Sequence, residues 1–181
     1  MDVLMRIMDE DSRDMVIILK TGGGKSLLWT IPLFLGLNGI SVVICPFKTL
    51  MEEQYAWCVK AGVRCHNYGW SKEVSESVQN LFVQVEHVGC DAFQRHVFRT
   101  FYNAAIAQTN SSLSLLVQLI GKRIQKIFIN EFHNVIQCHP GQKDKWNTLG
   151  MQCSQLPAQI ILLSATCPPS MAETLLKPFM L

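Results

Sequence analysis

Thr21-Gly22-Gly23-Gly24-Lys25-Ser26 sets three glycines directly before a lysine and a hydroxyl. Those residue types suit an anionic ligand. Glycines let the backbone curl until successive N–H groups converge on one point. Lysine adds a mobile positive charge, and a serine hydroxyl can hold a hard cation beside it. The flanks support the same chemistry. Met15-Val16-Ile17-Ile18-Leu19 reads as a buried strand, and Leu27-Leu28-Trp29 as the opening of a helix. Strand, glycine loop, Lys-Ser and helix make the phosphate-binding loop arrangement, with the positive end of the helix dipole at the phosphates. Thr21, Gly22, Gly23, Gly24, Lys25 and Ser26 would then bind the phosphates. Lys25 would reach the β- and γ-phosphates, and Ser26 would hold Mg²⁺. The general G-x-x-x-x-G-K-[ST] pattern asks for glycine at 19, where this chain has Leu19. A glycine-rich turn that merely ends in Lys-Ser is the bland alternative, and the flanking signals weigh against it.

Three further polar clusters follow apolar runs. Val42-Val43-Ile44-Cys45-Pro46 leads to Thr49-Leu50, Lys126-Ile127-Phe128-Ile129 to Asn130-Glu131-Phe132-His133, and Gln159-Ile160-Ile161-Leu162-Leu163 to Ser164-Ala165-Thr166. Each cluster stands at the C-terminal end of an expected strand, where open α/β sheets bind ligands. Taken singly, each has a plain reading: a common tripeptide, a surface histidine, an exposed acid.

The elements that position these clusters alternate. A short helix is expected within residues 1–14, with Val3, Leu4, Ile7 and Met8 on one face. The helix from Lys25 should end or kink at Pro32, and residues 36–39 should turn. A second buried strand covers 41–45. Thr49 is the expected N-cap of a helix running to about Ala61, where Gly62 stops it. A weaker strand is expected at 63–68, a polar helix at 71–79 and a strand at 81–85. Helices should follow at 91–107 and 111–123, then a strand at 126–129. Residues 137–157 read as a polar, loop-rich insert, and the last strand leads to a helix up to about Lys177. Strands that are mostly apolar throughout and alternate with helices predict an α/β fold with a mostly parallel sheet covered on both faces.

Composition sets bounds. The chain has 181 residues, 49% hydrophobic and 17% charged, which suits one folded domain rather than a disordered chain. A net charge of +2 does not by itself announce nucleic-acid binding. Lys122, Arg123, Lys126, Lys143, Lys145 and Lys177 could form a basic face, although a solvated helix face is the commoner cause of such a run. Seven cysteines without a C-x-x-C pair predict free, mostly buried thiols in a reducing compartment. No apolar run reaches the length of a membrane span, and the acidic N-terminus is unlike a signal peptide.

The four clusters, in this order and spacing, resemble the first RecA-like domain of superfamily 2 helicases. Thr21 to Leu27, Ile31-Pro32 and the stretch from Cys45-Pro46 to Gln54 look most like RecQ-type DNA helicases. The insert and the Ser164-Ala165-Thr166-Cys167-Pro168-Pro169 ending look most like the divergent fungal members. The resemblance covers about residues 12–176 and implies a three-layer phosphate-loop NTPase domain over 1–181, using ATP and Mg²⁺ inside the cell, in the nucleus. It assigns Lys25 to the phosphates and Glu131 to the attacking water as general base. Ser26 and residue 130 fall to the metal. His133 with Ser164, Ala165 and Thr166 would couple nucleotide state to movement on DNA. Pro46, Lys48 and Thr49 would touch the DNA backbone. The expected partners are DNA and a second RecA-like domain acting in trans, the N-terminus being shortened.

The chain departs from the family where the pattern has Asp-Glu-x-His. It carries Asn130, a neutral amide, and Phe132 stands where a small residue is usual. Two functions therefore stay open: a 3′–5′ DNA helicase lobe that hydrolyses ATP, or a remnant that binds nucleotide or DNA without turnover. Another phosphate-loop protein, such as a small kinase, fits less well, because no acceptor-binding lid is visible while Ser164-Ala165-Thr166 fits the helicase order.

Overall fold

In a computed structural model of the chain, the structure describes residues 2–9, 13–35, 39–69, 74–75, 77–88, 90, 93, 124–134, 146, 148–151, 153 and 158–167. The elements are α1 (Asp2–Met8), β1 (Met15–Ile18), α2 (Lys25–Phe34), β2 (Ile40–Cys45), α3 (Lys48–Lys60), β3 (Cys65–Asn67), β4 (Asn80–Gln84), α4 (Val85–Val88), β5 (Ile124–Asn130) and β6 (Gln159–Ser164). The six strands form one sheet in the order β1-β6-β5-β2-β4-β3. Every pairing is parallel.

The apolar runs make this sheet because side chains alternate between its faces. Phe82, Val43, Phe128 and Ile161 stand side by side across β4, β2, β5 and β6. They pack with Leu28, Trp29 and Leu33 of α2 and Met51 and Cys58 of α3. Trp29 meets Phe128 edge-on with ring centroids 6.0 Å apart. One residue along, Leu81, Val42, Ile127 and Ile160 face the other way, toward Tyr68, Phe93, Trp146, Leu149 and Cys153. The core thus lies in two layers around the central four strands. β1 is an edge strand rather than the fully buried one expected. Ile17 is buried, but Val16 and Ile18 are 42% and 46% exposed.

Several boundaries differ from expectation for local reasons. α2 passes through Pro32 and ends at Phe34, with the amide of Leu35 still bonded to Ile31 O. Proline costs a helix one hydrogen bond, and burial of Pro32 and Leu33 holds this one together. α3 starts at Lys48, not after Thr49. Its N-cap is Phe47, without a side-chain cap bond, and Thr49 is exposed inside the first turn. Its far end is as expected. Gly62, at φ +86, donates to Val59 O at 2.9 Å, and Val63 donates to Cys58 O at 3.1 Å, which is the Schellman turn. A Cβ at Gly62 would meet nothing within 4 Å. Gly62→Ala should therefore cost only the left-handed backbone, about 1–2 kcal/mol, read as a lower urea midpoint with unchanged slope.

Val85 opens α4 instead of closing β4. Of the expected helix at 71–79, the described residues 74, 75 and 77–79 are not helical. The Ser75 and Ser77 hydroxyls bond each other, and Gln79 and Ser77 bond Arg64, so local polar groups take up the backbone a helix would need. In the insert expected to be loop-rich, residues 146, 148–151 and 153 are helical, with Trp146, Leu149 and Cys153 buried. The expected helices at 91–107, 111–123 and 168–177 lie outside the described residues, apart from Phe93, which is helical and buried.

Lys126 corrects the expected basic face. It is 1% exposed, and its Nζ donates to Asp9 O and Gln159 Oε1, both at 3.0 Å. Gln159 Nε2 donates to Arg13 O, and the Ile160 amide to Asp14 Oδ1. This charge pins the segment before β1 to the sheet instead of facing solvent. Lys122, Arg123, Lys143, Lys145 and Lys177 lie outside the described residues. Cys45, Cys58, Cys65, Cys90, Cys153 and Cys167 are all free thiols, as expected.

Candidate functional site

The phosphate-loop segment leaves β1 beside β6, with the Leu19 amide donating to Ser164 O at 2.9 Å. It then doubles back, and the Gly23 amide reaches Lys20 O at 2.9 Å. A Cβ on Gly23 would stand 2.8 Å from that same carbonyl, so the turn closes only without a side chain. Gly22 and Gly24 take positive φ, +76° and +83°. Gly24 is the N-cap of α2 and has no side-chain cap bond. The first-turn amides of α2 therefore gain no side-chain acceptor from their cap, as an anion site at a helix start requires. Thr21 is exposed, while Lys25 and Ser26 are half-buried.

The second half of the site comes from the end of β5. Asn130 is the last strand residue and is 1% exposed. Glu131 turns the chain at φ +50, a conformation that side chains other than glycine seldom adopt. Asn134 holds that turn, donating both its amide and its Nδ2 to Glu131 O at 3.0 and 2.8 Å. Phe132 is buried in the Trp146 layer, and its amide donates to Leu163 O. It anchors the turn from below, so its bulk goes into the core and not into the site.

The two halves meet. Lys25 Nζ lies 2.7 Å from Glu131 Oε1, with the side chains 13% and 19% exposed. Glu131 Oε2 accepts from the Ala165 amide at 3.4 Å and lies 3.3 Å from His133 Nδ1. His133 Nδ1 is also 2.8 Å from Ser164 Oγ. The Ser164 hydroxyl donates to Thr166 O at 2.9 Å and accepts from the Thr166 amide at 3.1 Å. Since its proton goes to Thr166, Ser164 must accept from His133, which assigns the ring proton to Nδ1. Lys25, Glu131, His133, Ser164, Ala165 and Thr166 thus form one network joining the start of α2 to the C-terminal ends of β5 and β6.

Asn130 Oδ1 is buried without a hydrogen-bond partner. Pro46 is half-buried, and Phe47, Lys48 and Thr49 are exposed at the same end of the sheet, past β2. Lys48 lies 3.8 Å from Glu52. Sequence reasoning missed the Lys25–Glu131 pair and the Ala165 amide, because neither leaves a local signal. Among the described residues, no group of three or more His, Cys, Asp or Glu could hold a metal, and no helix is long and apolar enough to cross a membrane.

A family model described as DEAD/DEAH box helicase matches residues 2–175. The chain belongs to that helicase family. Within it, this helicase domain is similar to RecQ-type members. It is 27% identical over 156 residues to ATP-dependent DNA helicase Q1 of Pongo abelii, covering 85% of this chain and 23% of that protein. It is 22% identical over 178 residues to ATP-dependent DNA helicase RecQ of Bacillus subtilis (strain 168), covering 97% of this chain and 28% of that protein. The helicase domain thus spans about a quarter of the length of these curated relatives. Its fold is that of a hypothetical ATP-dependent RNA helicase from Sulfolobus tokodaii, with TM-score 0.59 at 16% identity over 98% of this chain and 47% of that one. It also matches S. cerevisiae Dbp5 bound to RNA and ADP BeF3, with TM-score 0.60 at 13% identity over 97% of this chain and 42% of that one. At these identities the two structures bear on fold, which is the expected RecA-like α/β domain.

Proposed function

We propose that this domain is the ATP-binding lobe of a RecQ-like 3′–5′ DNA helicase, and that Lys25 and Glu131 are its working pair. The observation that carries the reading is the 2.7 Å contact between them, which sets the phosphate-binding lysine against the acid that would activate water. Phosphates entering the glycine loop would be bound by its amides and by the start of α2. Lys25 would leave Glu131 for the γ-phosphate. Glu131, freed on one oxygen, would accept the proton of the attacking water, while the Ala165 amide and His133 keep its other oxygen in place. His133 and Ser164 would pass the change in Glu131 to the segment after β6. Pro46, Lys48 and Thr49 would face the DNA backbone, with a second RecA-like domain closing over the nucleotide.

The residues present suit Mg²⁺ in modest degree. Ser26 Oγ and the partnerless Asn130 Oδ1 are neutral oxygen donors, and phosphate oxygens would supply the charge. When bound there, the ion offsets the charge that develops on the β- and γ-phosphates. Asn130 also favours the second reading, a lobe that binds nucleotide and turns it over weakly.

Titration calorimetry with ATP tests the shared core of both readings. Lys25→Ala should weaken binding by roughly 2 kcal/mol, the scale of a hydrogen bond to a charged group. Equal affinity in the two proteins would remove the phosphate-loop assignment.

A further inference from the structure

β1 leaves one edge of the sheet open. Among the described strands it pairs only with β6, and the Leu19 amide donates to Ser164 O. Successive residues of a strand turn their backbone groups to opposite sides. Ile17 and Leu19 therefore turn theirs to β6, whereas Val16 and Ile18 turn both N–H and C=O to the open edge. The side chains of Val16 and Ile18 lie on the face of Leu162 and Ser164, their β6 partners, and are 42% and 46% exposed. Edge strands are commonly guarded by lysine, proline or a bulge. Met15-Val16-Ile17-Ile18 holds no lysine or proline, and its register against β6 is unbroken. β3, at the other end of the sheet, differs: it carries His66 and Asn67 and has no exposed residue.

We propose that β1 is a self-pairing edge, through which two copies of this chain associate with their β1 strands antiparallel about a two-fold axis at Ile17, joining two six-stranded sheets into one. The register follows from the residues. With Ile17 on the axis, Val16 stands opposite the partner's Ile18, and each turns its backbone to the other. The Val16 amide donates to the carbonyl of the partner's Ile18, the amide of the partner's Ile18 donates to Val16 O, and the axis repeats both bonds. Val16 and Ile18 of each copy then meet on one face as β-branched cross-strand pairs, which stabilise a sheet.

The charges at the strand ends select the second copy as the occupant. The same register sets Asp14 opposite the partner's Lys20, and the axis repeats that pair. Both residues are exposed. The Ile160 amide donates to Asp14 Oδ1 at 2.7 Å, which fixes the carboxylate at the entrance to β1, and the long side chain of the partner's Lys20 reaches its other oxygen. A slip of two residues either way would set Ile18 against Asp14 or Val16 against Lys20. Parallel pairing in register would set Asp14 against Asp14 and Lys20 against Lys20. β1 is thus complementary to its own reverse. Because the contact uses the same strand on both sides, it closes at two copies.

The test is sedimentation equilibrium of the whole chain from about 1 μM to about 1 mM, a range suited to a short strand pairing, with residue-resolved amide exchange at both ends of it. The expected result is a reversible monomer–dimer equilibrium in which exchange of the Val16 and Ile18 amides slows by ~10-fold or more at the high concentration. Ile18→Pro removes an outward donor and spares the bonds to β6, and it should abolish the dimer. Lys20→Glu sets like charges together at both ends, and it should raise the dissociation constant by ~10-fold, a difference that added salt reduces. A chain that stays monomeric throughout would overturn the proposal. So would a dimer that neither substitution weakens, or one in which the two amides exchange as fast as in the monomer. Slow exchange of both amides already in the monomer would mean that a segment of the same chain covers the edge, which also overturns it.

Discussion

Replacing Glu131 with glutamine should lower ATP turnover by about 10²- to 10⁴-fold, the usual worth of a positioned general base, and tighten ATP binding in the same protein. The opposite signs follow from one contact. Without nucleotide, Lys25 is held by Glu131 at 2.7 Å with both side chains largely shielded from water. Phosphates entering the loop must take Lys25 from that carboxylate, so part of their attraction is spent on breaking an ion pair. Glutamine keeps the shape and can accept a weaker, neutral hydrogen bond, but it cannot compete as a charge or take a proton from water. Calorimetry and a phosphate-release assay on the same preparation separate the two effects, and the assay should be run with Asn130→Asp as well, where the starting rate is expected to be higher. Turnover that survives Glu131→Gln would mean that Glu131 is not the base. Weaker ATP binding would mean that the Lys25–Glu131 pair does not oppose the phosphates.

Asn130→Asp should do three things together: destabilise the protein without Mg²⁺, increase the stabilisation given by Mg²⁺ with ATP, and raise turnover by ten-fold or more. Asn130 is 1% exposed and its Oδ1 has no partner. A carboxylate there would be a buried charge, which costs several kcal/mol unless compensated. A divalent cation at the phosphates would compensate it, so the variant's melting temperature should depend on Mg²⁺ far more than that of the native chain. The same charge would hold the ion where it offsets the transition state. The rate gain has a ceiling, because arginine fingers from a second lobe are worth orders of magnitude in related nucleotidases. The Mg²⁺ dependence of melting has no such ceiling, which makes it the sharper measurement. Identical Mg²⁺ dependence in the two proteins would place residue 130 away from the metal.

The central sheet was legible because its strands are apolar on both faces. Val42 to Cys45, Ile127 to Ile129 and Ile160 to Leu163 read as buried strands and are buried strands. β1 carries the same kind of residues but takes an edge, and nothing in Met15 to Ile18 records which strand becomes an edge. The described helical residues 146, 148–151 and 153 were hidden because the large core residues among them, Trp146, Leu149 and Cys153, are interleaved with the short or exposed Thr148, Gly150 and Met151. Their spacing of three and four residues was the available signal. Lys126 was misread because lysine is rarely buried, and its partners Asp9 and Gln159 are 117 and 33 residues away. The candidate site divides in the same way. The glycine loop and the three further clusters are local in sequence, whereas the Lys25–Glu131 contact spans 106 residues and exists only in the fold.

The strand order has a consequence for how the protein comes into being. Among the described strands, β1 pairs with β6 alone, matching Met15–Ile18 to Ile161–Ser164. The first described strand is therefore seated by the last of them, across the whole intervening length. Closing so long a loop costs entropy before any contact rewards it, and pairings of this kind are slow to form. During synthesis β2, α3, β3 and β4 can assemble as they emerge, while the glycine loop waits with no neighbour for its strand. Lys25 and Glu131 meet only after residue 164 has left the ribosome and docked between β5 and β1. A nascent chain short of that point would carry every residue of the phosphate loop and still have no nucleotide pocket, so the capacity to hold ATP would arrive late and all at once, as a mark that folding is complete.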